Sequence, residues 1–416
     1  MKNIAVIGSG VSGLTCAHVL SEKHKVTVFE ANDYIGGHTA TVDVDVAGKT
    51  YAIDTGFIVF NDRTYPNFQK LLAKLNVQSI PTEMSFSVHH ALTGLEYNGH
   101  TLASMFAQRS NLFKVSFWSF LAEIVRFNKT CKALYQENRY PDTNLGQFLI
   151  EEEFSDFFCQ HYILPMGAAI WSSSIDDMRA FSIQFFVRFF EHHGLLNITD
   201  RPQWYVLKGG SRSYIPDLIR PFANNIRLST PVEGVRRTPE GVLLQIDKEW
   251  HAFDEVIFAC HSDQALGMLK DATENEKKIL RDLQYKANEV VLHTDKSLLP
   301  KREAAWASWN YRLDGDVKRP ASVTYNMNIL QQLPQGAPTF CVTLNQSELI
   351  DESKILRKFV YDHPVFNEAS LAAQKQWHVI SGIQHTHFAG AYWFNGFHED
   401  GVKSGLAVCK HFGLSL

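Results

Sequence analysis

The chain has 416 residues, 45% hydrophobic and 20% charged, with 40 Lys and Arg against 44 Asp and Glu for a net charge of −4. This describes a globular protein able to bury the core of two or three domain-sized units, and it excludes a disordered chain and a general nucleic-acid binder. The six cysteines (Cys16, Cys131, Cys159, Cys260, Cys341 and Cys409) are scattered, with no CxxC pair and no zinc spacing, so they read as small buried hydrophobes and no metal site is expected. No apolar run is long enough to span a bilayer, no signal peptide is expected, and the expected location is cytoplasmic.

The first element is an apolar strand, Ile4-Ala5-Val6-Ile7, which runs into Gly8-Ser9-Gly10-Val11-Ser12-Gly13 and then a helical stretch. A second strand, Val26-Thr27-Val28-Phe29, ends at Glu30, twenty-two residues after Gly8. This order is the βαβ unit that cradles the diphosphate of a dinucleotide. Gly8 permits the tight turn, Gly10 leaves room for the diphosphate, and Gly13 lets the helix lie close to the sheet. The helix start, with Ser9, Val11 and Ser12, offers N–H groups and a dipole to the phosphates. Glu30 is placed to accept the ribose hydroxyls, and Ala31 follows it.

Next come Asp33-Tyr34-Ile35-Gly36-Gly37-His38-Thr39. The acid Glu30, a short spacer and this second Gly-Gly resemble the flavin amine oxidase and phytoene desaturase superfamily. The resemblance implies FAD as the cofactor, with Gly37, His38 and Thr39 touching its phosphates and ribityl chain. Most members carry Arg where this chain has His38. Its imidazole is expected to hydrogen-bond the cofactor or the backbone, a covalent flavin link being the second reading. A hairpin, 42–46 and 51–54, leads to Asp54-Thr55-Gly56-Phe57. In the family a similar strand delivers a glycine to the flavin, which makes Gly56 a candidate, a plain turn glycine being the alternative.

A helix is expected over 65–75. Residues 76–204 are rich in aromatics and helical patterning. Within 112–127 stand Phe113, Phe117, Trp118, Phe120, Leu121, Ile124 and Phe127, with Arg109, Lys114, Arg126, Lys129 and Lys132 around them against Glu123 alone. Two readings apply, a core-facing cap helix and a helix lying on an anionic membrane surface. The stretch 181–190, with Ile163, Leu164 and Trp171, reads either as core or as the wall of an apolar tunnel.

At Tyr205-Val206-Leu207-Lys208-Gly209-Gly210 the chain is expected to return to the first domain, with a helix from about Tyr214. Strands are expected at 226–228 and 230–235, and the resemblance gives the backbone of Val232 the adenine. After a hairpin, 242–246 and 250–252, the strand 253–260 brings Ala259 near the flavin in the family's manner. His261 is either a site residue or a cap for the helix near Asp263. Residues 290–293 and 321–325 read as strands of a second sheet.

The final segment, His387-Phe388-Ala389-Gly390-Ala391 and then His398-Glu399-Asp400-Gly401-Val402, resembles the family's last strand and helix. The helix start would aim its dipole at the flavin pyrimidine, with Gly390 close by and Gly401 and Val402 supplying N–H groups. The family's acid after Ala-Gly is here Ala391, and the segment 392–395 is short. Tyr392 and Trp393 are candidates for the aromatic cage usual in amine oxidases.

The expected fold is α/β: a Rossmann-like, glutathione-reductase-like FAD-binding domain from 1–75, 205–265 and 375–416, with an inserted α+β substrate domain and helical cap from 76–204 and 266–374. Gly36-Gly37-His38-Thr39, Asp54-Thr55-Gly56-Phe57 and His398-Glu399-Asp400-Gly401 resemble one branch more closely, the flavoproteins associated with cyclopropane-fatty-acid synthases. That branch implies an FAD-dependent oxidoreductase acting on a small-molecule or lipid substrate, here the C–H bonds of a fatty acyl chain. A flavin amine oxidase and a non-catalytic flavin-binding subunit of a lipid methyltransferase are the alternatives. Peripheral contact with the inner membrane is part of the lipid reading. No catalytic side chain is singled out.

Overall fold

Five parallel strands form the central sheet of the computed structural model, which describes residues 1–316, 318–319 and 322–416. Their order is Ile226–Arg227, Lys25–Phe29, Asn3–Ile7, Glu255–Phe258 and Thr386–Phe388. Ile4, Ala5, Val6, Val256, Ile257 and Phe258 are fully buried, as expected of parallel strands covered on both faces. One cover is the helix Val11–Leu20, every residue of which from Ser12 onward is buried. It lies between the sheet and the C-terminal helix His398–His411, against which its Cys16 thiol donates to the Gly405 carbonyl at 3.4 Å.

An antiparallel sheet of Gly234–Thr238, Gly241–Ile246 and Glu249–Phe253 flanks this body. Its first strand begins at Gly234 and not at residue 230. Pro231 has no N–H to give a ladder, and Ser229 is left-handed at φ 48°, so the chain turns there. The helices Ser262–Met268 and Glu274–Asp282 pack on this side, with Ala265, Ile279 and Leu280 sharing a core with Val235 and Val242. The packing therefore changes partner near Tyr285, beyond the expected boundary at 265–266.

A second, seven-stranded sheet runs Ile355–Pro364, Tyr285–His293, Cys341–Leu344, Val323–Asn326, Trp309–Leu313, Phe86–His90 and Glu96–Asn98. Only the pairing of Trp309–Leu313 with Phe86–His90 is parallel. Of the strand expected at 321–325, Ala321 lies outside the described residues.

The helices between these sheets bury their aromatics in one core. Phe117, Phe120 and Phe127 of the long helix Val115–Glu137 meet Phe158 and Trp171, together with Phe186 and Phe190 of the helix Ile183–His192. The stretch 181–190 is thus core, with Trp171 packed 4.6 Å from Phe189 and 5.0 Å from Phe181. Among the described residues no helix is long and apolar enough to cross a membrane, and no group of His, Cys, Asp and Glu is arranged to hold a metal ion. All six cysteines are free, and Cys260 alone is not fully buried.

Candidate active site

Gly8 has φ +105°, and a Cβ there would stand 2.6 Å from the Ala259 carbonyl oxygen. A Cβ on Gly13 would meet the Gly8 carbonyl oxygen at 2.1 Å. These two glycines close the turn onto the sheet. Gly10 differs, because a Cβ there would meet nothing within 4 Å. The helix that follows has no side-chain cap and no acid in its first turn. Among the described residues the N–H groups of Ser12 and Gly13 have no acceptor in the chain, as the first turn of a helix requires. Open space beside uncapped N–H groups fits the diphosphate of a dinucleotide.

Glu30 sits against this turn. Its Oε2 accepts from the Ser9 N–H at 2.9 Å and the Ser9 hydroxyl at 2.7 Å. Its Oε1 accepts from the Asn32 N–H and side-chain amide. Ala31 is exposed on the same bend. The segment carrying Val232 is tied to this bend, with the Thr230 N–H donating to the Glu30 carbonyl and the Ser229 N–H to that of Asn32. Val232 itself is buried.

The second glycine pair folds back on the first. The Gly36 N–H donates to the Ser9 carbonyl at 3.0 Å, and a Cβ on Gly37 would lie 3.2 Å from the Cα of Gly10. Gly56 passes so close to His38 that a Cβ would meet its carbonyl oxygen at 2.2 Å, and the Phe57 N–H donates to that oxygen at 2.7 Å. The Thr39 hydroxyl lies 3.0 Å from the Tyr214 hydroxyl, which lies 2.9 Å from Nε2 of His398. The His398 ring stacks on Phe57 at 3.7 Å.

His38 is exposed beside the strand Ile355–Pro364 of the second sheet. Its ring is 5.1 Å from Tyr361, 6.0 Å from His363 and 6.5 Å from His261. The His261 ring stacks on Tyr285 at 4.2 Å, and the Gln264 side chain accepts its main-chain N–H at 3.3 Å, so it both joins this cluster and precedes the helix Ser262–Met268. Nδ1 of His363 lies 2.9 Å from the Ser172 hydroxyl, and the Tyr361 hydroxyl 2.9 Å from that of Thr55.

Although His38 is exposed, the surrounding protein atoms, and then repulsion from His261, lower its pKa to about 4. Burial, aided by His38 and His261, takes His363 to about 3. Burial, aided by His38, takes His398 to about 3. Burial also lowers His261. At neutral pH these imidazoles are uncharged, and each offers one donor and one acceptor.

At the sheet's C-terminal edge the Ala259 N–H donates to the Ile7 carbonyl, and the Gly390 N–H donates to the Ser404 hydroxyl at 2.8 Å. Gly401 and Val402 do not present free N–H groups. The C-terminal helix starts at His398, and the Gly401 N–H is spent on the Phe397 carbonyl at 3.1 Å. The unpaired N–H groups therefore belong to the preceding turn, His398 to Asp400. Gly401 serves close packing, since a Cβ there would lie 2.5 Å from Val11 Cγ1. Val402 is core. In the same turn Asp400 accepts the Phe397 N–H at 3.0 Å, and burial pushes its pKa up to about 7. Glu399 accepts from the Asn67 and Phe68 N–H groups and joins the helix Pro66–Lys74 to this end.

Comparison with known proteins matches the family described as flavin containing amine oxidoreductase to residues 11–341. The chain belongs to this family. It is a flavin-dependent oxidoreductase of the amine oxidase superfamily. An engineered double mutant of putrescine oxidase shares the fold with a TM-score of 0.71 at 14% identity over 99% of each chain. Cyclohexylamine oxidase from Brevibacterium oxydans IH-35A gives 0.68 at 15%, again over 99% of each chain. A fatty acid isomerase from P. acnes gives 0.69 at 14%, over 99% of this chain and 98% of that one. No curated protein sequence matches the chain.

Several residues of this flavin-family site escaped the sequence reading. Tyr361 and His363 alternate on one face of the strand Ile355–Pro364, and a period-two pattern, Phe359, Tyr361, His363, was the available signal. Tyr214 and Ser172 carried no local signal, because each acts through a partner more than 170 residues away.

Proposed function

We propose that the chain binds FAD and oxidises or desaturates a fatty acyl chain. The observation that carries this reading is the cluster of His38, His261, Tyr361 and His363 beside the glycine turns. Gly8, Ser9, Gly10, Val11, Ser12 and Gly13 would hold the diphosphate, Glu30 and Ala31 the ribose, and Val232 the adenine. Gly37, His38, Thr39, Gly56, Ala259, Gly390 and the start of the C-terminal helix would surround the flavin. Bound there, the flavin supplies a hydride acceptor. The chain's own residues do the rest. His38, His261 and His363 give the site polar contacts without net charge. Phe185 stacked 5.8 Å from Phe366, and Phe189 stacked 5.3 Å from Phe397, belong to the apolar cap core. A fatty acid isomerase stands among the similar folds beside the amine oxidases, so the fold accommodates either substrate class.

The amine reading rests on the family and on Tyr392 and Trp393. Those rings are buried and meet at 43°, and the Tyr392 ring is pressed against Gly390, so they are not two parallel walls. The acyl reading is therefore preferred.

The test is anaerobic mixing of the purified holoprotein with acyl lipids and, separately, with primary and polycyclic amines while the flavin absorption is followed. Bleaching by an acyl lipid supports the proposal. Bleaching by amines alone overturns the substrate class, and bleaching by neither favours the accessory role. Acid precipitation that releases FAD into the supernatant establishes the cofactor as non-covalent, whereas flavin retained in the pellet points to His38.

A further inference from the structure

Six of the sixteen large apolar side chains that stand exposed among the described residues fall between positions 102 and 125. They are Leu102, Leu112, Phe113, Val115, Trp118 and Val125, with Phe113 89% and Val115 84% exposed. Single exposed hydrophobes are ordinary, but a cluster of this size marks a contact surface. Val115, Trp118 and Val125 recur at helical spacing on the side of the helix Val115–Glu137 opposite Phe117, Phe120 and Phe127, which are buried in the cap core. The helix is therefore apolar on two faces, and among the described residues only one of them is packed against the chain.

The outer face is ordered without that partner. The Trp118 indole N–H donates to the Leu112 carbonyl at 3.0 Å, and its ring lies 5.1 Å from Phe106. Phe113 ends the short helix Arg109–Phe113, two residues before Val115. Along this stretch the sequence charge is one-sided: residues 102–132 hold five bases and one acid, in a chain whose net charge is −4. The acid, Glu123, is occupied by the Ser155 N–H and hydroxyl and lies 3.9 Å from Arg126. Farther along the helix Arg126 donates to the Glu152 and Glu153 carbonyls, which brings that acidic turn beside it. Arg109, Lys114 and Lys129 are exposed and have no carboxylate within ion-pair distance among the described residues.

An aromatic and aliphatic tip with a collar of unpaired bases is complementary to the interface of an anionic bilayer. We propose that the chain docks through this face onto anionic lipid, with Phe113, Val115 and Trp118 entering the acyl boundary and Arg109, Lys114 and Lys129 at the headgroups. The docking stands on this surface alone. It rests on the acyl reading only for the source of the substrate, a bilayer that delivers acyl chains to the cap.

The experiment is vesicle flotation of the full chain, with phosphatidylcholine alone and with phosphatidylcholine mixed with phosphatidylglycerol. The wild type is expected to float with the anionic vesicles, to stay behind with the neutral ones, and to be released by high salt. The double variant Phe113→Ser/Val115→Ser should lower the bound fraction's partition by about tenfold or more. Lys114→Glu/Lys129→Glu should lower it at least as much. An unchanged far-UV spectrum and melting temperature show that both variants fold. Absence of flotation, or equal flotation of wild type and the Phe113/Val115 variant, overturns the proposal. So does a wild-type dimer that the same variant converts to monomer, since the face would then belong to a second copy. None of these outcomes depends on flavin reduction, so docking and the acyl reading fail separately.

Discussion

Glu30 is fastened to Ser9 by two hydrogen bonds, from the main-chain N–H at 2.9 Å and from the hydroxyl at 2.7 Å. The acid that ends the second strand is thereby fixed against the turn that receives the diphosphate. Glu30→Gln replaces a carboxylate oxygen with a donor that faces the Ser9 N–H. Loss of charged hydrogen bonds of this kind costs about 1.5–3 kcal/mol each. The dissociation constant for FAD should rise by about tenfold to a hundredfold in fluorescence titration of the apoprotein. An unchanged constant would show that Glu30 has no part in holding the nucleotide.

Gly10 and Gly13 should respond to alanine in opposite ways. At Gly13 a methyl group meets the Gly8 carbonyl oxygen at 2.1 Å, a backbone atom that cannot turn aside. Gly13→Ala should lower unfolding stability by about 1–3 kcal/mol or more, with or without flavin. At Gly10 the space is open and the φ is −70°, so Gly10→Ala should melt as the wild type does and lose only flavin affinity. A Gly10→Ala protein that binds FAD normally would mean that the diphosphate lies elsewhere.

The Asp400 carboxyl carries a pH signature. Burial raises its pKa to about 7, so between about pH 4 and 7 the folded chain holds a proton that the unfolded chain has released. The stability this group contributes is therefore present at low pH and falls as pH rises through that window. Asp54, raised to about 6 by burial, acts in the same direction. His38, His363 and His398 act in the opposite one, since their lowered values keep them neutral when folded and their contribution is lost as pH falls below about 6.5. Asp400→Asn isolates the first effect. Relative to wild type it should gain on the order of 2 kcal/mol between pH 5 and pH 8 in denaturant unfolding. A difference that does not change with pH would place the carboxyl in water.

His363 is held by Ser172, the left-handed residue, φ 49°, that ends the cap helix Leu164–Trp171. Ser172→Ala leaves the imidazole free to rotate. Flavin content should stay at the wild-type level while kcat/KM for the reducing substrate falls by about tenfold, the value of one ordinary hydrogen bond. Ser172→Asn, which tolerates the left-handed backbone and keeps a polar partner for the imidazole, should restore part of it. Loss of flavin instead of turnover would make the contact a structural tie between cap and cofactor body.

The parts of the site that were legible in the sequence are those set by local backbone chemistry. The turn Gly8 to Gly13 and the acid at Glu30 follow from glycine spacing and strand runs within a few residues. The C-terminal helix was read a turn too late for its N–H groups. Asp400 caps Phe397, so the helix begins before the glycine that resembles the family motif. The cluster around His38 was not legible, because it depends on strand pairing. Tyr361 and His363 reach His38 only when Ile355–Pro364 pairs with Tyr285–His293, and no spacing within either strand encodes that partner. The long cap helix stayed ambiguous for a physical reason, since it presents apolar side chains on both faces.

The packing of Gly405 against Ser12, where a Cβ would stand 2.7 Å from the serine carbonyl oxygen, joins the helix of the first glycine turn to the last helix of the chain. The N-terminal βαβ unit leaves the ribosome early, yet one side of its helix is bare until residues 398–411 have been made. Cofactor capture must therefore wait until that helix has been made. Through that interval the exposed flank, with Cys16 and Leu20, has to be shielded or tolerated, and a chain truncated before Gly405 should be cleared as an aggregating fragment that never turns yellow.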